Sequence, residues 1–265
     1  MTNQIQHAAV DNLKSTFFFR LILILLTLAA GIMDVSSQGT WTALTNASPI
    51  ANDGPLIVLS DGSVLCKTAS GGGVGKTWTR LNPPSSNSYL NATWGTSTTM
   101  SNDRKRFSSQ ILKDGRLYVC GGETGAGIAS AELFNPVTSS WSAAGAPGAT
   151  VSNAYSEILD DGTIFQTFGT SASHTCKIYN PTTNSFSSIA NSNGIHQDAT
   201  AHKLADGTIL LIDKVVGSGS VNTERYFPST NTWVVEPSIP FELWSNAGPT
   251  IGSSVMLPDG RMWVV

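Results

Sequence analysis

Charge is scarce in this chain. Only 12% of its 265 residues are Asp, Glu, Lys or Arg, and the formal net charge is −3. A nucleic-acid surface needs a basic excess, so nothing electrostatic draws this protein to DNA or RNA. Long helices consume Glu, Lys, Arg and Ala, so the same scarcity excludes a helical bundle or coiled coil. Cysteine is sparse too. Cys66, Cys120 and Cys176 are an odd number, and none sits in a CxxC or zinc-type spacing. Cys66 and Cys120 fall inside apolar strand patterns and read as small buried thiols. A long hydrophobic run is missing as well. The longest, residues 21–33, falls short of the roughly 20 apolar residues that span a bilayer. Lys14 and Arg20 flank three phenylalanines just before it, which is the pattern of a secretory leader. Val35 and Ser37 fit the −3 and −1 positions of a cut before Gln38. Residues 1–37 are therefore expected to be a signal peptide, with an uncleaved signal-anchor as the alternative. Either places the rest of the chain outside the cytoplasm, secreted or extracytoplasmic, with no membrane contact after cleavage.

What the chain does have is punctuation and a core. It holds 25 Gly and 12 Pro among many Ser and Thr, and 40% hydrophobic residues including seven Trp and ten Phe. That is enough apolar material to exclude disorder, and the turn residues point to many short strands.

The strands come in a repeat. Leu-x-Asp-Gly occurs five times, with its Asp at Asp61, Asp114, Asp161, Asp206 and Asp259, spaced by 53, 47, 45 and 53 residues. An apolar run follows each Gly, so each copy reads as a hairpin, expected to carry a type I′ turn. A second landmark follows at Asn82-Pro83, Asn135-Pro136, Asn180-Pro181 and Phe227-Pro228, and then an aromatic, Trp141, Phe186 or Trp233. The first copy carries an insertion, and its counterpart is Trp94. Each unit is strand a, Asp-Gly turn, strand b, loop, strand c, Asn-Pro turn, strand d. Four antiparallel strands per repeat describe a propeller blade, and the strand d aromatic is expected to pack between blades.

Gly121-Gly122, Glu132-Leu133-Phe134-Asn135-Pro136 and Trp141 together resemble the kelch repeat, and the resemblance extends over roughly 40–265. It implies an all-β fold, a β-propeller of four-stranded antiparallel kelch blades. Blades are expected at about 54–98, 106–146, 153–190 and 198–238, with a partial fifth at 250–265. The domain spans 38–265. Trp41 and its flanks read as a strand d with no blade before them. The chain stops inside the fifth unit, so a fragment of a six- or seven-bladed ring is expected.

The stretch with Ser108-Ser109, Asp114-Gly115-Arg116 and Gly121-Gly122 is also similar to the second blade of galactose and glyoxal oxidases. That resemblance implies a copper-radical site with a cross-linked Tyr eight residues before the second hairpin Asp, and its Cys partner six before the first. Those positions are Arg106 and Pro55 here. Neither can serve, and the family's two His ligands belong to later blades. No catalytic residue, metal or cofactor is predicted.

Two other patterns are weaker. Residues 70–77 approach a phosphate-binding loop, but Ser70 stands where Gly is required, and Trp78 to Pro84 cannot form the necessary helix. His196, Asp198 and His202 share parity on an expected strand a. An extended strand separates the two histidines by roughly 20 Å, too far for one ion. His196 and Asp198 could share a site, while His202 reads as a hydrogen-bonded strand residue. Asn46 and Asn91 stand in N-glycosylation sequons, which count in a eukaryotic host.

The repeat yields the better constellation. Eight residues before the hairpin Asp lie Asp53, Arg106, Asn153, Asp198 and Ile251. Propeller geometry gathers such positions at one mouth of the central channel, with Tyr155 two residues further on and His196 in the adjoining loop. Glu123, His174 and Trp244 lie in loops on the same rim. Asp53, Arg106, Asn153, Tyr155, His196 and Asp198 are thus candidate ligand-binding residues, or else a solvated channel with internal pairs such as Arg106 with Asp53. The expected function is a non-catalytic binding or scaffold module for carbohydrate or protein. The alternatives are a degenerate or incomplete copper-radical oxidase and an adhesion or matrix protein.

Overall fold

The computed structural model describes residues 40–50, 53–69, 73–84, 88–169, 174–196, 199–213, 223–238, 254–257 and 259–264. The chain divides into two units, 1–43 and 44–265. The leader and the expected cleavage site lie outside the described residues. Of the first unit, residues 40–43 are described and lie in no strand, so the strand expected around Trp41 is not formed there. No described helix is long and apolar enough to cross a membrane.

The second unit is a series of antiparallel sheets in chain order. The first holds β1 (Asp53–Val58), β2 (Val64–Thr68), β3 (Thr77–Asn82), β4 (Thr93–Trp94) and β5 (Thr98–Thr99). The next three have four strands each: β6 (Ser108–Ile111) to β9 (Ser140–Ala143), with β7 (Leu117–Cys120) and β8 (Ala131–Asn135) between them; β10 (Ser156–Ile158), β11 (Ile164–Thr167), β12 (Cys176–Asn180) and β13 (Ser185–Ser188); β14 (Thr200–Lys203), β15 (Ile209–Ile212), β16 (Thr223–Phe227) and β17 (Thr232–Val235). A two-stranded sheet, β18 (Ser254–Met256) with β19 (Met262–Val264), follows. Innermost strands β6, β10, β14 and β18 neighbour one another in series. In blade 1 the fourth strand is split into β4 and β5, both paired with β3. Trp94 pairs with Leu81 as Trp141 pairs with Phe134, which settles its place in the repeat.

The hairpins differ from the expected I′ turn. Among the described hairpin residues only the glycines have positive φ, from 79° at Gly62 to 88° at Gly162. The amide of each Gly bonds back to the Leu three residues earlier, and the Leu amide to the carbonyl of the residue after Gly. This is a type I turn closed by a left-handed glycine, a three-residue hairpin loop. The Asp has a different task from the one read into it. In all five copies its Oδ1 accepts the amide two residues on, at 2.9–3.1 Å, as an Asx cap.

Alternation then assigns each strand's two faces to two neighbouring blades. Leu117 and Val119 turn toward blade 1, where they meet Leu65, Trp78 and Met100. Tyr118 and Cys120 turn toward blade 3, onto Ile164, Phe168 and Tyr179. Phe165 does the same against Ile209, Leu211 and Tyr226 of blade 4. Aromatics stack across these seams, Tyr118 on Tyr179 at 4.8 Å and Phe165 on Tyr226 at 5.4 Å between ring centroids. Trp141 reaches Trp78 at 5.8 Å and Trp233 reaches Phe165 at 6.0 Å, the interblade role expected of strand d. On the far face of blade 1, Leu44 and Ile50 cover Cys66, Leu81 and Ala92. All three cysteines are buried.

Asparagines in left-handed turns fasten neighbouring blades. Asn184, at φ 52°, accepts from Tyr179 of its own blade at 2.8 Å and from the Gly145 amide of the preceding segment at 2.7 Å. Asn231 repeats this with Tyr226 and Ala190, at 3.0 and 2.9 Å. Gly121 is another such point. Its φ is 69°, and a Cβ there would run into the carbonyl and side chain of Val151 from the next blade. Gly121→Ala is therefore expected to lower stability by about 2 kcal/mol or more, read by urea denaturation. A change below about 0.5 kcal/mol would contradict this close approach.

Candidate functional site

In an antiparallel a–b–c–d sheet the end of strand b, the start of strand c and the start of strand a lie at one end of the blade. In blade 2 the d–a and b–c loops at that end are tied to each other. Lys105 and Glu123 exchange backbone hydrogen bonds at 3.2 and 2.9 Å, and the Gly122 amide donates to Val151 of the next d–a loop at 2.9 Å. Arg106 stands here with φ 51°, and Asn153 occupies the same repeat position in blade 3 with φ 48°. Non-glycine residues in left-handed backbone are uncommon, and a shared one marks a shared local turn. The Arg106 side chain, 39% exposed, pairs through its guanidinium with Glu123 at 3.1 Å. Lys105 approaches the same carboxylate at 3.9 Å. Arg106 thus has Glu123 as an acidic partner, while the expected pairing with Asp53 falls on a side chain outside the described residues. Asp53 opens β1, but its side chain, like Asp198, Ile251 and Trp244, lies outside the described residues. Asn153 Oδ1 is buried with no partner among the described residues.

Tyr155 is part of the blade 3–4 seam rather than a free rim group. It packs on the cluster around Phe165, and its amide donates to Thr167 Oγ1 at 2.9 Å. His174 Nδ1 lies 3.0 Å from the Ser192 carbonyl. His196 precedes β14 rather than lying on it, so the expected common strand parity with His202 fails. Its ring is buried, with Nδ1 at 2.8 Å from Asp213 and Nε2 at 3.3 Å from Glu224 Oε1. The second contact is an ion pair without aligned hydrogen-bond geometry. Trp233 stacks beside the ring at 6.3 Å. Burial opposes the charged imidazole, but Asp213 and Glu224 overcome that and raise its pKa to about 9. The same pairing, with amide donors from Asn193 and Gly194, outweighs burial at Glu224 and holds its carboxyl below the usual value.

The sequence reading did not single out this arrangement as a repeat, yet it is one. Arg104 lies ten residues before its hairpin Asp, as His196 does, and Glu132 lies 18 after, as Glu224 does. Arg104 is fully buried and meets Glu132 at 2.9 Å, while Glu132 also accepts the Ser101 amide at 2.7 Å. Arg104 donates further to Ser130 and Gly121. In both blades a strand c carboxylate neutralises a buried cation and pins the d–a loop. Blade 3 breaks the pattern: Val151 stands at the first position, and Lys177, at the same strand c register as Glu132 but 16 residues after its Asp, donates its Nζ to the Pro147 carbonyl of that loop at 2.7 Å. Aligning blades 2 and 4 on their Asp would have exposed both offsets.

Further along the channel strands a polar layer faces the next blade. Gln110 donates to the Ser156 carbonyl, and His202 lies 2.8 Å from Ser254 Oγ, the structural role read for it. Burial lowers the His202 pKa. Glu157 occupies the matching position in blade 3, and burial raises its pKa to about 7, moderated by Lys203. The stretch after Gly73 enters β3 directly, so no helix follows the glycine loop to hold phosphate. Among the described residues no group of His, Cys, Asp and Glu is placed to hold a metal ion.

Comparison with known proteins agrees with this architecture. The kelch motif model matches residues 113–147, which run from the second hairpin past strand d of blade 2. No curated protein matches the chain. A solved structure titled "Structure of YjhT" aligns with a TM-score of 0.52 and 15% identity, over 74% of this chain and 67% of that one. At that identity the likeness speaks for fold alone. The fold is a β-propeller of kelch-type blades.

Proposed function

We propose that this chain is a secreted, non-catalytic binding module whose d–a and b–c loops present a polar rim to a carbohydrate or protein ligand. The observation that carries the reading is where charge is placed. In a chain with few charges, the buried pairs Arg104–Glu132 and His196–Glu224 both fix rim loops. Fixed loops on a rigid scaffold favour binding, because less conformational entropy is lost on capture. Arg106 and Asn153 occupy matching positions at this rim; the part-exposed Arg106 side chain can meet hydroxyls or amides directly, and the buried, unpartnered Asn153 Oδ1 lies behind it. Copper-radical chemistry gains no support, since Arg106 and Pro55 replace the two groups that would form the radical site.

A glycan array probed with the purified chain, and with Arg106→Ala and Asn153→Ala, tests the rim. Binding is expected to fall at least tenfold in either variant. Binding that survives both would move the site elsewhere, and its absence from a broad array would favour a protein ligand. With added copper and sugars or aldehydes, no peroxide is expected. Sustained peroxide release would overturn the non-catalytic reading.

A further inference from the structure

We infer that Asn46 and Asn91 are acceptors for N-linked oligosaccharide and that, once modified, they form one glycan cluster on the outer face of blade 1. The inference rests on the secretory reading of residues 1–37. The two sequons are 45 residues apart in sequence, but the fold sets them side by side. Thr45 Oγ1 donates to Asn91 Oδ1 at 2.8 Å, and Asn46 Nδ2 donates to the Ala92 carbonyl at 2.9 Å. The Thr45 amide also reaches the Leu90 carbonyl at 2.8 Å. Both asparagines are exposed, as are Ser48 and Thr93, the hydroxyl residues that complete the two motifs. Asn91 sits in a turn closed by the Ala92 amide on Tyr89, at 3.0 Å. Surface turns are where an oligosaccharide of this bulk is accommodated without disturbing a core.

The chemistry is a transfer from a lipid diphosphate-linked oligosaccharide. The carboxamide nitrogen of Asn bonds to C1 of the reducing-end sugar, the C1–oxygen bond to the diphosphate breaks, and the lipid diphosphate leaves while a base takes the amide proton. One N–H remains on each nitrogen, so Asn46 can keep its bond to Ala92. Tyr89 and Leu90, large side chains left about 40% exposed beside Asn91, give the glycans something to cover.

The test expresses the full chain in a eukaryotic secretory host, once with residues 1–37 and once with a proven leader in their place. Intact mass and glycopeptide mapping are read before and after an amidase that releases N-glycans and converts the modified Asn to Asp. Two glycans are expected, with Asn46→Gln and Asn91→Gln each removing one and the double variant removing both. With the proven leader, a chain that enters the secretory pathway and carries no glycan at either site overturns the inference, and modification at one site alone overturns the cluster. If only the proven leader gives glycosylated protein, the acceptor sites stand and the reading of residues 1–37 falls.

Discussion

Replacing Glu132 by Ala is expected to cost about 3–5 kcal/mol of folding stability, seen as a large drop in the urea midpoint of tryptophan fluorescence. The reason is what remains behind. Arg104 is fully buried and cannot shed its proton, so without the carboxylate its charge sits in the protein interior with only carbonyl and hydroxyl partners. The Ser101 amide loses its acceptor as well. Glu132→Gln keeps the shape and should recover part of the loss. Removing both charges, with Arg104→Met and Glu132→Gln together, should cost far less than Glu132→Ala, since no buried charge is stranded. An exposed pair gives the contrast. Asp114 and Arg116 also meet, at 2.7 Å, but in solvent, and Arg116→Ala should shift stability by no more than about 1 kcal/mol. A Glu132→Ala loss no larger than that would mean Arg104 is not held as the geometry describes.

The second large effect is a loss of stability on the alkaline side, set by His196. Its folded-state pKa is raised to about 9 from the ordinary 6.5. A histidine raised in this way contributes fully below pH 6.5 and loses that contribution as pH climbs through 9. A difference of that size corresponds to about 3 kcal/mol. Glu224 works on the other side. Its pKa is lowered from 4.5, so its contribution is present above that value and is lost on acidification. Glu157, raised to about 7, loses stabilisation between pH 4.5 and 7 and overlaps the histidine window. The measurement is therefore made in a Glu157→Gln background, with urea midpoints from pH 6 to 10. The midpoint should fall between pH 6.5 and 9.5, and His196→Gln should flatten that arm. Trp233 stacks beside the ring, so its fluorescence should titrate in the same window and stop doing so in the variant. A flat alkaline arm in the parent would refute a charged His196. Blade 2 offers the internal comparison, because an arginine fills the place that His196 has in blade 4.

These two pairs mark the boundary of what the sequence discloses. The blade order, the hairpins, the Pro turns and the aromatic on strand d were all legible, because each depends on local chemistry that recurs along the chain, the hairpin in five copies and the other two in four. Asp61 and its four counterparts cap their turns through contacts two residues away, so the signal survives without any tertiary information. The turn type was misread because Asp-Gly fits two hairpin geometries, and only the backbone path distinguishes a turn with two left-handed residues from one with a single left-handed glycine. The sequence left His196 two places, on strand a by parity or in the adjoining loop; the loop holds it, before β14 begins, where buried carboxylates can reach it.

The sequence by itself determined the repeat, the strand count per blade and which positions are apolar. A period-two alternation bounded by turns allows no other local structure for these segments. It could not say which residue meets which across loops and blades, because those partners are 17 residues or more apart and chosen by packing. Only the tertiary structure decided that Glu132 and Glu224 neutralise cations in the loops before their own blades, that Arg106 answers to Glu123, and that Asn46 and Asn91 share one patch of surface. Burial is the physical reason. The cost of an isolated charge in the interior forces a partner, and it is the folded chain that supplies one.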